Sequence, residues 1–238
     1  MRITFVLLRV AVAAAVLLAV GVNLADSIAF WEQARFRDVP ALITNFFSYL
    51  TILSILASAV VLLVGAARLA LDRLPDSRGF AFARASVVSY MAIVCVVYNV
   101  LLRGTAVTGA GQGQQWTNEV MHVVVPLYLV LDWFLAPGRI RLPWRTVPQM
   151  LIAPVLWLTY TLVRAPLVYD QFKHEQGWYP YPFLDPNRGG VLSVAVYIVA
   201  MAVVFSSVAA VTTAVSRWPH LRALPAAASV EAEKLRTI

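Results

Sequence analysis

The sequence predicts an all-α fold, a polytopic membrane bundle of six transmembrane helices with its N- and C-termini in the cytoplasm. Of its 238 residues, 61% are hydrophobic and 13% are charged, about half the charged share of an average soluble domain. The mean hydropathy is +0.75, and apolar runs long enough to cross a bilayer recur along the chain. This composition excludes cytosolic enzymes, secreted disulfide scaffolds and nucleic-acid-binding domains. We therefore expect no nucleic acid partner, despite a net charge of +7.

The first apolar segment spans residues 3–25 and follows Arg2. It is long for the apolar core of a signal peptide, and no clean small-x-small cleavage site follows before Asp26, so an uncleaved helix is the better interpretation. The other predicted spans cover residues 41–71, 85–102, 120–136, 147–165 and 191–215. Residues 1–217 are therefore expected to form a single six-helix transmembrane domain, and 218–238 a short polar cytoplasmic tail.

Basic residues divide unequally between the two sides that six spans define. One side holds 13 of the 19 lysines and arginines, namely Arg2, Arg9, Arg68, Arg73, Arg78, Arg84, Arg139, Arg141, Arg145, Arg217, Arg222, Lys234 and Arg236. The other side holds the remaining six, namely Arg35, Arg37, Arg103, Arg164, Lys173 and Arg188. Because cytoplasmic connections carry the excess of lysine and arginine, this division places both termini in the cytoplasm.

The fourth span begins with polar residues that are expensive to place in a bilayer. Thr117 and Asn118 can cap a helix, and Glu119 in the first turn suits the helix dipole, so each has a structural explanation. His122 is the one histidine predicted inside a span. It shares a helix face with Asn118 and Glu119, which makes it a candidate functional residue. Asp132, further along, is interpreted as lying at the membrane interface.

The second span carries a stripe of hydroxyl side chains. Thr44, Ser48 and Thr51 follow one another at helical spacing, and packing between helices is the ordinary explanation for such a stripe. Thr44 lies four residues after Pro40, roughly 6 Å along a helix, which is a depth similar to that expected for His122. A hydroxyl and an imidazole within reach of each other are the parts of a nucleophilic acyl transfer, in which histidine accepts the proton and the hydroxyl attacks a carbonyl.

No motif points to a metal or to a bound cofactor, and we expect neither. A bis-histidine haem needs two histidines inside the membrane. A carboxylate-bridged di-iron site needs paired Glu-x-x-His motifs, and Glu119 and His122 form only one. The sequence also contains no zinc motif, phosphate loop or dinucleotide fingerprint.

Three sequence motifs, taken together, resemble those of a known protein family. They are Trp116-x-Asn118-x-x-x-His122 followed by Pro126, the start of the second span with Thr44, and Tyr181-Pro182-Phe183-Leu184. Together with the six-span pattern, they resemble the androgen-induced membrane protein family over nearly the whole chain. Animal members of this family are hydrolases that cleave fatty acid esters of hydroxy fatty acids with an intramembrane threonine and histidine.

The resemblance implies a lipid-ester hydrolase that acts from the outer half of the bilayer, in the plasma (inner) membrane if the source is bacterial. His122 takes the role of the catalytic histidine and Thr44 that of the catalytic threonine, with Ser48 and Thr51 as alternatives for the hydroxyl. The expected partner is a membrane lipid or a fatty acid ester.

The same resemblance gives supporting roles to the residues around these two. Asn118 orients His122 or stabilises the oxyanion, and Glu119 is a second group that can orient the ring. Trp116 belongs to the same motif, and the segment with Tyr181 covers the site.

Two interpretations from other classes stay open. A non-catalytic lipid-binding or transport protein uses the same cavity, with His122 and Glu119 as polar anchors or proton carriers. The sequence lacks the paired broken helices and inverted repeat typical of many transporters. A structural membrane subunit needs neither the hydroxyl nor the imidazole. A hydrolase requires the hydroxyl of Thr44 or Ser48 close to His122 and an apolar tunnel open to lipid.

Overall fold

The computed structural model describes residues 2–103 and 114–218 of the chain. The predicted polar tail therefore lies outside the described residues, apart from Trp218. Six helices of the described part are long and apolar enough to cross a membrane. This confirms the predicted all-α class and the number of spans, and the chain is an integral, multi-pass membrane protein.

The first three spans are each built on one long helix. They are α1 (Arg2–Gln33), then α3 (Leu50–Ala70) after the short helix α2 (Val39–Phe47), and α4 (Arg78–Val97) with a π-helical turn over Tyr98–Leu102.

The other three spans are interrupted. The fourth consists of α5 (Gln115–Glu119), a π-helical turn (Val120–Val124) and α6 (Val125–Leu135). The fifth consists of α7 (Thr146–Met150), α8 (Ile152–Arg164) and a 3₁₀ turn (Ala165–Leu167). A two-stranded antiparallel hairpin, β1 (Tyr169–Asp170) and β2 (Glu175–Gln176), and a 3₁₀ turn (Pro182–Leu184) precede α9 (Pro186–Val215), which is kinked at Gly190.

Helix α1 continues well past its predicted end at residue 25, and Asn23 and Ser27, on either side of that point, are both buried and have hydrogen-bond contacts. Ser27 Oγ donates to the backbone carbonyl of Asn23 at 2.6 Å, and the Asn23 amide lies 3.5 Å from Thr117 Oγ1. Trp31, one turn further on, is fully buried. The helix therefore extends to Gln33 instead of ending at Asp26.

The predicted second span, residues 41–71, is not one helix but is divided at Ser48 and Tyr49. Ser48 Oγ donates to the carbonyl of Thr44 at 2.7 Å, and the Ser48 carbonyl accepts a hydrogen bond from Trp157 Nε1 at 2.9 Å. This second bond gives the Ser48 carbonyl a partner outside the helix ladder, and Tyr49 then takes an extended conformation with ψ 129°. The hydroxyls of Thr44, Ser48 and Thr51 therefore do not share one continuous helix face.

Four charged residues form a buried ion cluster: Arg9 of α1, Arg84 of α4, Asp132 of α6 and Asp76, which precedes α4. Arg9 Nε and Nη2 donate to the two carboxylate oxygens of Asp132 at 2.8 and 3.0 Å. Arg84 donates to Asp132 at 3.0 Å and also pairs with Asp76. Asp132, expected at the membrane interface, is only 5% exposed, because two arginines from other helices neutralise it inside the bundle.

The connections gather at two ends of the bundle, as six spans require. At one end, the backbone N–H of Asp76 donates to the carbonyl of Gly138 at 2.8 Å, and Arg139 Nη2 donates to the carbonyl of Trp218 at 3.3 Å. We call this the basic end. The opposite end carries the β1–β2 hairpin, and we call it the hairpin end.

Candidate functional site

A cavity of about 170 Å³ lies between α3, α4, α8 and α9, under the segment that follows β2. Most of its wall is apolar, with side chains that include Val94, Val97, Leu158, Ile198, Met201 and Phe205. Its polar groups include the Thr51 hydroxyl, the His122 imidazole and the Tyr181 phenol. A mainly apolar cavity with a few convergent polar groups is the usual form of a small-molecule site.

His122 lies on the π-helical turn of the fourth span and lines this cavity. Its Nδ1 is 3.0 Å from the backbone carbonyl of Asn118, so the neutral ring carries its hydrogen on Nδ1 and keeps a lone pair on Nε2. The ring stacks on Tyr98, with 4.0 Å between centroids and 20° between planes. The imidazole is thus oriented on two sides, with one nitrogen able to accept a proton.

The stacked pair joins two irregular turns. Tyr98 begins the π-helical turn at the end of α4, and His122 lies at the centre of the π-helical turn before α6. Such turns are rare in helices and occur frequently at functional sites, because the wider turn changes the direction of a side chain. Both turns therefore make this part of the bundle a candidate site.

Thr51, in the first turn of α3, contacts Tyr181 with two groups. The Tyr181 hydroxyl is 3.1 Å from Thr51 Oγ1 and accepts a hydrogen bond from the Thr51 backbone N–H at 3.4 Å. Burial raises the pKa of Tyr181, and the hydrogen bonds to Thr51 oppose this without cancelling it. The phenol therefore stays neutral at physiological pH and keeps its proton for a hydrogen bond.

Aromatic rings hold Tyr181 in this position. Its ring meets Tyr49 and Trp157 edge-on, with centroids 5.7 and 5.8 Å apart. It also stacks on Phe183 at 5.3 Å. The Tyr-Pro-Phe-Leu element singled out in the sequence thus forms one wall of the cavity, because Leu184 lines it as well.

We expect Tyr181→Phe to lower the free energy of unfolding by about 1 to 3 kcal/mol, because the ring packing stays while a buried polar contact is lost. The measurement is thermal or denaturant unfolding of the purified protein in detergent micelles. Tyr169→Phe is the matched control, because Tyr169 is 49% exposed. The free energy of unfolding of this variant should change by no more than about 0.5 kcal/mol. Equal stability of both variants would contradict a contribution from the Tyr181 hydroxyl.

The other two candidate hydroxyls lie outside the cavity lining. Thr44 is exposed, and its Oγ1 donates to the carbonyl of Pro40 at 2.9 Å. Ser48 is buried, and its Oγ lies 3.0 Å from the hydroxyl of Tyr160 while donating to the Thr44 carbonyl. Of the three, Thr51 is the one that the described residues place in the same cavity as His122.

The supporting residues differ in what they contact. Asn118 contacts His122 through its backbone carbonyl. Glu119 accepts a hydrogen bond from Arg103 at 2.9 Å, so its carboxylate is engaged by an arginine rather than by the imidazole. Trp116 is 41% exposed, and its indole N–H donates to the side chain of Gln114 at 2.7 Å.

Two aromatic residues of the site were not found by sequence reasoning. Tyr98 stacks on His122, and Trp157 contacts both Tyr181 and the Ser48 carbonyl. An aromatic residue inside a span is ordinarily explained by packing, so neither position carries a local signal. Their roles become visible only in the folded chain, where Trp157 Nε1 donates to the Ser48 carbonyl and the Tyr98 ring lies on His122.

Fold and site together define a multi-pass helical membrane protein with an apolar, histidine-containing cavity. Comparisons with protein-family models, with curated proteins and with solved structures find no match for this chain.

Proposed function

We propose that this protein is an intramembrane lipid-ester hydrolase in which Thr51 is the nucleophile and His122 the general base. One observation supports the proposal above others: Thr51 and His122 line the same apolar cavity. The apolar wall suits an acyl chain, and the few polar groups suit a single ester. The proposal gives Thr51 the role that the family resemblance assigns to Thr44.

The proposed reaction has two steps. Thr51 Oγ attacks the ester carbonyl carbon while His122 Nε2 accepts its proton, and the imidazolium then protonates the alkoxide that leaves as the alcohol. Water, activated by the same imidazole, attacks the acyl-threonine ester, and the fatty acid leaves as Thr51 regains its proton. Tyr181 and the N-terminal turn of α3 supply hydrogen-bond donors and a positive dipole end near the developing oxyanion.

We further propose the orientation of the protein and its family. The excess of basic residues at the basic end favours the cytoplasm for that end and for both termini. The cavity, next to the hairpin end, then belongs to the outer half of a plasma or inner membrane. The Trp116 and Tyr181 motifs favour membership of the androgen-induced membrane protein family.

The test is labelling of the purified protein in detergent with an alkyl fluorophosphonate, followed by mass-spectrometric mapping of the modified residue. We expect the label on Thr51, its loss in Thr51→Ala, and its retention in the matched variant Thr44→Ala. Thermal stability of each variant separates loss of the nucleophile from loss of the fold. Retention of the label in Thr51→Ala together with its loss in Thr44→Ala would return the nucleophile role to Thr44.

A second candidate function is binding of a lipid without chemistry. It is favoured by the contact of Thr51 Oγ1 with Tyr181, which already satisfies the hydroxyl at 3.1 Å. This alternative gives no fluorophosphonate labelling of the wild type, together with a lipid that co-purifies with the protein and is lost when the cavity is filled, for example in Ala202→Phe.

A further inference from the structure

A second cleft, of about 570 Å³, lies at the basic end of the bundle and shares no described lining residue with the cavity. Its walls are formed by the start of α4, the connection over 140–145, the start of α7 and Arg217, which follows α9. Four of the side chains that line it are arginines: Arg78, Arg141, Arg145 and Arg217. Among the described residues, no aspartate or glutamate lines it.

These arginines differ from those of the buried ion cluster in lacking acidic partners. Arg9 and Arg84 each pair with carboxylates. None of the four cleft arginines forms an ion pair within residues 2–103 and 114–218: no carboxylate oxygen lies within 4.0 Å of their guanidinium nitrogens. The cleft therefore concentrates positive charge that the described chain does not neutralise.

Arg217 is held in place but retains an unused donor. Its Nη2 donates to the carbonyl of Leu142 at 2.9 Å, and its guanidinium lies 4.9 Å from the ring centroid of Trp144. Its Nε is buried and has no hydrogen-bond partner in the described part of the chain. The contacts with Leu142 and Trp144 hold the guanidinium at the wall of the cleft, while the Arg217 residue as a whole is only partly buried.

The level of the cleft along the bundle indicates the kind of anion. Trp144 and Trp218 are sequence neighbours of lining residues of the cleft, and they are 53% and 60% exposed. Exposed tryptophans at the ends of membrane spans lie at the level of the lipid headgroups. Phe82 and Ile140 add apolar side chains to the cleft wall. The site thus combines guanidinium groups with an apolar rim at headgroup depth.

From these observations we propose that the cleft binds the phosphate group of an anionic phospholipid. Guanidinium groups match phosphate oxygens with paired hydrogen bonds, and basic pockets between membrane helices bind anionic headgroups. Soluble phosphate offers the same oxygens to the arginines, but it has no acyl chain to contact Phe82 and Ile140. This inference does not depend on the proposed hydrolase activity.

The test titrates phosphatidylglycerol into the full-length protein in dodecyl maltoside micelles and follows the melting temperature. We expect a saturable rise for the wild type. In the Arg141→Gln/Arg145→Gln variant the midpoint should move to about 30-fold higher lipid, since each basic residue near an anionic surface contributes about fivefold. The matched control Arg37→Gln/Arg73→Gln removes two exposed arginines outside the cleft and should keep the wild-type midpoint.

Equal midpoints in the wild type and the cleft variant would overturn the proposal. So would an equal rise with phosphatidylcholine, or a rise produced by inorganic phosphate without lipid. If the double variant does not fold, Arg141→Gln and Arg145→Gln are tested singly, and each should raise the midpoint about fivefold. A wild-type effect that 0.5 M NaCl leaves unchanged would also overturn the proposal, because it would not be electrostatic.

Discussion

Replacement of His122 by glutamine is expected to reduce the proposed lipid-ester hydrolysis by about 10²- to 10⁴-fold, the usual contribution of general acid–base catalysis. Glutamine approximates the size of the imidazole but cannot accept and return a proton. The Thr51 hydroxyl, with an ordinary alcohol acidity, is a weak nucleophile without that base. The rate is measured with a fluorogenic long-chain ester in mixed micelles.

The control for this variant is His174→Asn. His174 is exposed at the hairpin end and has φ 56°, a left-handed conformation that asparagine tolerates. The hydrolysis rate of the His174→Asn variant should equal that of the wild type. If His122→Gln has the wild-type rate at unchanged melting temperature, His122 is not the base, and the cavity is better explained as a lipid-binding site.

The largest loss of stability is expected for Asp132→Asn. This change leaves the buried guanidinium groups of Arg9 and Arg84 without the carboxylate that both contact. Removing one partner of a buried ion pair typically costs about 3 to 5 kcal/mol, because the remaining charge is buried without compensation. Equilibrium unfolding in detergent micelles measures the difference in the free energy of unfolding.

An exposed ion pair at the same end of the bundle provides the matched control. Arg2 and Asp72 lie 2.7 Å apart, with side chains that are 47% and 75% exposed. Asp72→Asn should change stability by about 0 to 1 kcal/mol, the usual range for surface pairs. If Asp132→Asn is no more destabilising than Asp72→Asn, the ion cluster does not hold the helices together.

Sequence reasoning captured the spans because hydropathy is a local property. Each of the six apolar runs appears as a span, and His122 stands out because an intramembrane histidine needs a reason. The division of the second span could not be predicted in this way. It depends on the bond from Trp157 to the Ser48 carbonyl, which joins residues 109 positions apart.

The sequence leaves the choice of hydroxyl open among Thr44, Ser48 and Thr51, because spacing along one segment does not show which side chains meet across the bundle. The depth expected for Thr44 from Pro40 lies within α2 and is unaffected by the break, whereas Thr51 follows the break and belongs to a new helix. The contact of Thr51 with Tyr181 joins residues 130 positions apart, so local spacing in the sequence could not predict it. The ion pair of Asp132 was equally out of reach of local sequence patterns, because its partner Arg9 is 123 residues away. Its expected level at the membrane interface stays a prediction.

That last separation has a consequence for synthesis. A ribosome adds about 5 to 20 residues per second, so Arg9 emerges about 6 to 25 s before Asp132. The Gly65 carbonyl accepts a hydrogen bond from Arg9 Nη1 at 2.9 Å and lies only 56 residues after Arg9. It is therefore synthesised after less than half of that delay. Arg9 is therefore synthesised before either of these partners, and the Gly65 carbonyl of α3 becomes available to its guanidinium before the carboxylate of Asp132 on α6.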